Sequence, residues 1–153
     1  MAKLIEIATR EYKRGPMAIM KSAHVSIESG VADDFRGKQG KRQVTVLNSK
    51  SWSQACDQVG KNLHWTTRRA NLLIDDFELK NSTGKFLTIS DLVLEITQET
   101  DPCNRMEESV SGLFEALRND WRGGVCCRVI RSGYIHAGDE VKIVTKCEYE
   151  SRK

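Results

Sequence analysis

At 153 residues, with 39% hydrophobic and 29% charged residues, the chain is long enough for one cored domain and lacks the composition of a disordered one. The formal charge of +3 permits an anionic ligand but falls short of the heavily basic character of most nucleic-acid binders. No apolar run is long enough to span a bilayer, and Glu6 interrupts the short apolar start, so neither a membrane span nor a secretory signal is expected and the cytoplasm is the expected location.

Short strands dominate the pattern from the beginning. Runs rich in β-branched residues, bounded by polar or glycine-bearing turns, predict strands over Leu4 to Ala8, Ala23 to Glu28 and Gln43 to Leu47. Ser51 to Val59 then spaces Trp52, Ala55, Cys56 and Val59 by threes and fours, which predicts a helix stopped by Gly60. Further strands are predicted over Ala70 to Ile74 and Leu92 to Thr97. Glu108 to Trp121 returns to helical spacing through Val110, Leu113, Phe114, Leu117 and Trp121, then meets Gly123-Gly124. Cys126 to Arg131 and Glu140 to Thr145 predict the last strands, the latter fed by a tight Gly138-Asp139 turn. With no linker or repeat, residues 1–153 are expected to form a single mainly β (β-rich α+β) domain, a barrel or sandwich with a few short helices.

The five cysteines, Cys56, Cys103, Cys126, Cys127 and Cys147, include no C-x-x-C, so neither a redox pair nor a zinc knuckle is signalled. Cys126 and Cys127 would point to opposite faces of a strand. Most of these thiols read as small buried hydrophobes. His24, His64 and His136 are dispersed and suggest no metal triad.

Cys103 stands apart. It lies in Asp101-Pro102-Cys103-Asn104-Arg105-Met106, directly after a strand. Asp101 suits an N-cap and Pro102 a first helical position, which would put Cys103 at the positive end of a helical turn with Arg105 nearby. Both features favour the thiolate, the form that ligates metals and attacks electrophiles. The same phrase also fits an inert buried cysteine beside a structural turn. A second candidate is Thr66-Thr67-Arg68-Arg69-Ala70-Asn71. Read as a strand, it puts Arg69 and Asn71 on one face, where a forked guanidinium and an amide could grip a phosphorylated heterocycle. Read as an edge strand, its arginines are solvated charges that discourage aggregation. A third is Arg36-Gly37-Lys38-Gln39-Gly40-Lys41-Arg42, either an anion nest or a mobile basic hairpin loop, and not a P-loop.

Taken in order, Arg42-Gln43-Val44, Arg69-x-Asn71-Leu72-Leu73, the strand into Asp101-Pro102-Cys103, Trp121-Arg122-Gly123-Gly124-Val125 and Gly138-Asp139-x-Val141 resemble the MOSC domain, the C-terminal domain of molybdenum cofactor sulfurases. The resemblance implies a mainly β pseudo-barrel that binds the molybdenum cofactor (molybdopterin), an anionic pterin. It implies that Cys103 is the metal ligand or the sulfur carrier, roles that soft sulfur suits. It further implies that Arg69 and Asn71 hold the pterin or its phosphate, with Arg42 as a further contact. The expected activity is that of a small oxidoreductase component for N-hydroxylated substrates, or of a sulfur or cofactor carrier. An oxidoreductase of this length would take its electrons from a separate reductase, and a carrier its sulfur from a donor. Pyridoxal phosphate binding is a further association of the family. Two other readings stay open: a small basic β-barrel that binds nucleic acid through Arg36, Lys38, Lys41, Arg42, Arg68 and Arg69, and a metal-free thiol redox protein.

Overall fold

Alternating apolar residues put the strands where the sequence leads one to expect them, and the computed structural model describes residues 2–32, 34–75, 78–101 and 104–151. Cys103 and the adjoining Pro102 lie outside the described residues. The chain runs through β1 (Leu4–Thr9), β2 (Ala18–Met20), β3 (Ser22–Ser26), β4 (Gly30–Val31) and β5 (Val44–Asn48) into helix α1 (Ser49–Val59). After a 3-10 turn at Trp65–Arg68 come β6 (Leu72–Ile74), β7 (Phe86–Ile89), β8 (Leu92–Glu99), α2 (Asn104–Ser109) and α3 (Leu113–Arg118). A second 3-10 turn, Asn119–Trp121, leads to β9 (Val125–Arg131), β10 (Gly133–His136), β11 (Val141–Val144) and α4 (Lys146–Ser151). Among the described residues no helix is long and apolar enough to cross a membrane.

Eight strands form one mixed sheet in the order β11-β7-β8-β9-β5-β6-β1-β2, and β10-β3-β4 form a smaller one. β5 and β6 are parallel, with Val46 opposite Leu72 and Leu47 opposite Leu73. Parallel neighbours need a crossover, and α1 supplies it. The side-chain period of two then sorts the pair. Val46 and Leu72 enter the main core with Leu87, Leu94 and Ile96, whereas Leu47 and Leu73 enter a second core with Trp52, Met106, Leu113 and Leu117 of the helices. Burial on both faces explains why β6 reads as a continuous apolar run.

The large sheet does not close into a barrel, but it curls far enough for its ends to touch. Lys3, just before β1, bridges Glu140, just before β11. The Leu4 amide donates to Asp139 O at 2.8 Å, and the Val141 amide donates to Ala2 O at 2.9 Å. The fold is thus sheet-dominated α+β, a pseudo-barrel held at its seam by a few backbone bonds.

Three expectations need correction. The helix expected over Glu108 to Trp121 is broken: α2 ends at Ser109 and α3 begins at Leu113, with Gly112 at φ 88° between them. Glu107 recruits the second start, accepting from the Gly112 amide at 2.9 Å and the Phe114 amide at 3.3 Å. The strand expected from Ala70 begins at Leu72, because Arg69 adopts a left-handed φ of 66° at the end of the 3-10 turn. Strand alternation therefore does not place Arg69, and β6 is an interior strand, not an edge. The Arg36–Arg42 stretch is no hairpin either, since β4 and β5, the strands on its two sides, belong to different sheets.

Candidate functional site

Six arginines from five separate points of the chain line one cavity of about 200 Å³: Arg10, Arg36, Arg42, the adjacent Arg68 and Arg69, and Arg105. Among the described residues Asp101 is the one acidic residue in that lining, which also includes Thr45, Thr100 and Met106. Two of the arginines expected to bind an anion, Arg42 and Arg69, therefore meet here. Cys103 itself is outside the described residues, but Asp101 and Arg105, two positions before and after it, both line the cavity.

Arg10 follows the last residue of β1 and is 7% exposed. Its backbone amide donates to Asp34 Oδ1 at 2.8 Å, and its guanidinium lies 5.8 Å from the Phe35 ring centre. Among the described residues that guanidinium has no hydrogen bond and no ion pair. Burial, followed by the charges of Arg69 and Arg36, pulls its pKa down, with Asp34 opposing. Arg69 behaves alike. Burial first and Arg105 second lower its pKa. Its Nη2 donates to Gly15 O, while its buried Nε finds no partner among the described residues. A buried donor without an acceptor is costly, so Arg69 Nε among neighbouring guanidinium groups favours an anion that supplies the missing acceptor.

Arg68 has a different task. It is buried, with Nε donating to Gly123 O at 3.1 Å and Nη2 to Thr100 O and Asp101 O at 3.3 and 3.4 Å. It thereby ties the 3-10 turn to the segment that leads toward Cys103. The Trp121-Arg122-Gly123-Gly124 phrase makes room for this. A Cβ on Gly123 would fall 2.6 Å from Thr100 O and 3.3 Å from Arg68 Nη2. At Gly124, where φ is 88°, it would fall 2.2 Å from Val46 O.

Asn71 is buried beneath the cavity wall. Its Oδ1 accepts from the Thr45 amide at 3.1 Å and from Thr45 Oγ1 at 3.3 Å, and its Nδ2 donates to Ala8 O at 3.2 Å. It binds β1, β5 and β6 to one another and orients Thr45, which lines the cavity. Trp65, one of two aromatics near these arginines in sequence, is buried with its Nε1 on Glu6 Oε1 at 2.6 Å. It offers no stacking platform, whereas Phe35 is exposed. Sequence reasoning missed Arg10 and gave Arg68 no bracing role. The available signal for Arg10 was a guanidinium at the end of an apolar strand, where chain ends of a curled sheet converge.

The implied cofactor suits this donor set. An anionic pterin phosphate would satisfy Arg69 Nε, which is buried and unpartnered among the described residues, and would neutralise the neighbouring Arg10 guanidinium.

The solved YUAD protein of Bacillus subtilis has a similar fold, with a TM-score of 0.79 at 16% identity over 95% of this chain and 97% of that one. YiiM from Geobacillus stearothermophilus gives 0.73 at 13% identity over 95% and 76%. YiiM from Escherichia coli gives 0.72 at 13% over 94% and 70%. No curated protein matches the sequence. A family model of the MOSC domain matches residues 23–142, most of the chain, and the protein belongs to the MOSC domain family.

Proposed function

We propose that this chain binds the molybdenum cofactor, acting as an oxidoreductase component for N-hydroxylated substrates or as a sulfur or cofactor carrier. The observation that carries the reading is the meeting of six guanidinium groups, Arg69 with a buried Nε unpartnered among the described residues, in a cavity lined on either side of Cys103 in the sequence. Arg10, Arg69 and Arg105 bind the anionic part of the pterin. Arg42 contributes from the more exposed rim, and Asn71 acts through Thr45. Cys103 supplies a thiolate, the form that ligates metals and carries sulfur. When bound, the cofactor supplies two-electron redox chemistry or carries the sulfur. The protein's part is to neutralise the phosphate, orient the pterin and hold the thiolate. A separate reductase or a sulfur donor serves as partner.

The test is metal and pterin analysis of protein made in a cofactor-competent host. Molybdenum and pterin are expected in wild type and are expected to fall about tenfold in Arg69→Ala, the loss of one charge-assisted contact. Cys103→Ser is expected to keep the pterin but lose the metal or the persulfide. Wild-type protein free of both molybdenum and pterin after gentle purification would overturn the reading.

A further inference from the structure

The hairpin of β1 and β2 carries a long loop, and that loop meets the candidate site at one atom. Thr9 pairs with Ala18 across the hairpin. Between them Glu11, Tyr12, Lys13 and Arg14 are exposed, whereas Gly15 is buried. The loop folds on itself, with the Gly15 amide donating to Tyr12 O at 2.9 Å and Arg14 in the left-handed region at φ 61°. Tyr12 packs so closely that a Cβ on Gly15 would fall 2.9 Å from Tyr12 O and 3.1 Å from its ring. Among the described residues, the one hydrogen bond joining residues 11–16 to the rest of the chain is that from Arg69 Nη2 to Gly15 O.

Arg69 in turn belongs to the anion site. It lines the cavity, and its buried Nε has no acceptor among the described residues. A guanidinium carries two donors on each terminal nitrogen, and Nε shares one edge of the fork with Nη2. One Nη2 donor can therefore hold Gly15 O while the other, beside Nε, holds an anion. Each contact fixes the plane of the fork and lowers the ordering cost of the other. Charge acts in the same direction. The loop brings Lys13 and Arg14, within two residues of Gly15, to a wall that already carries six guanidinium groups, and like charges oppose that approach until an anion offsets them. We infer that residues 11–16 form a strap on the anion site: Gly15 O positions Arg69, and an anion bound through Arg69 holds the strap down. Such coupling is reciprocal, so a loosened strap weakens the anion. The inference rests on the anion site of the reading above and adds a ligand-responsive element to it.

Trypsin reads the strap directly, because its targets Lys13 and Arg14 are exposed. The experiment follows cleavage after each residue by mass spectrometry, in the full chain, as inorganic phosphate replaces chloride at fixed ionic strength. Saturating phosphate is expected to slow both cuts about tenfold, an ordinary size for coupling between sites. The cut after Lys146, exposed at the start of α4, is expected to keep its rate. Gly15→Ala is expected to weaken phosphate about fivefold in calorimetric titration and to erase the protection. Tyr12→Ala, a change at an exposed residue that leaves the core intact, is expected to do the same, and Tyr12→Phe, which keeps the ring, to behave as wild type. Phosphate that binds without slowing either loop cut, unaltered phosphate affinity in both Gly15→Ala and Tyr12→Ala, or no phosphate binding at all would overturn the inference. Cofactor content separates the two proposals. Molybdenum and pterin held equally by wild type and Gly15→Ala would remove the strap and leave the molybdenum reading standing. Phosphate-dependent protection in protein that never carries either would uphold the strap and sink the molybdenum reading.

Discussion

Arg68 and Arg69 are neighbours with opposite duties, and the difference comes from where their donors go. Arg68 spends its guanidinium on three backbone carbonyls, so Arg68→Ala should lower the unfolding free energy by roughly 2–3 kcal/mol in urea titration. Arg69 keeps a buried Nε without an acceptor among the described residues, and its removal should cost ligand more than stability. The cysteines divide by the same accounting. Cys56, Cys126 and Cys127 are buried and Cys147 is exposed. At about pH 8, alkylation of native protein should therefore mark Cys147 and spare those three, and Cys103 should react faster than Cys147 if its thiolate is favoured. Burial, chiefly, pushes the Cys127 thiol well above its usual range. As pH rises past the ordinary thiol pKa, the unfolded chain loses that proton while the native state keeps it. The unfolded state then binds fewer protons, so this group's contribution makes stability fall with rising pH. A Cys127→Ala variant should show a shallower decline in alkaline denaturation curves.

At the scale of elements, the ends are decided by single polar groups and by glycine. Asn48 closes β5 and caps α1, accepting from the Lys50 and Ser51 amides at 2.8 and 3.2 Å. Asn48→Ala should cost at least about 1 kcal/mol, read by thermal unfolding. Gly60 ends that helix in the left-handed region with φ 71°, as its position after the last apolar residue implies. The second helix was harder to read, because Val110, Leu113 and Leu117 keep one periodic face across a break made by Gly112. Periodicity reports which face is buried, and a chain can keep that face while interrupting its hydrogen bonds. Gly124→Ala is the sharpest local test. With backbone 2.2 Å from the new Cβ and φ already positive, a loss of roughly 2 kcal/mol or more is expected.

Across the whole molecule, the curled sheet brings the end of β1, the loop before β5, the turn before β6 and the end of β8 to one place. Its main core carries that geometry. Leu94→Ala should destabilise by about 2–5 kcal/mol and release bound ligand in parallel, because the wall residues sit on the strands it packs. The small strands β2, β4, β7 and β10 were not legible in sequence. The two-residue β4 is too short to show a period, and β10 is half polar because one face meets solvent.

What the residues determined alone is local: which runs alternate, where helices stop, and which ordered phrases mark the MOSC family. Arg42, Arg69 and the flanks of Cys103 were legible as candidates because forked cations and a proline-turn cysteine carry chemistry in their own side chains. Only the tertiary structure decided which charges share a cavity. Arg10 looked like any strand-end cation, Asn71 like a ligand contact and Arg68 like a surface charge until folding set their partners. Acceptors that lie 55 positions away, as Gly123 does from Arg68, leave no mark on a local pattern.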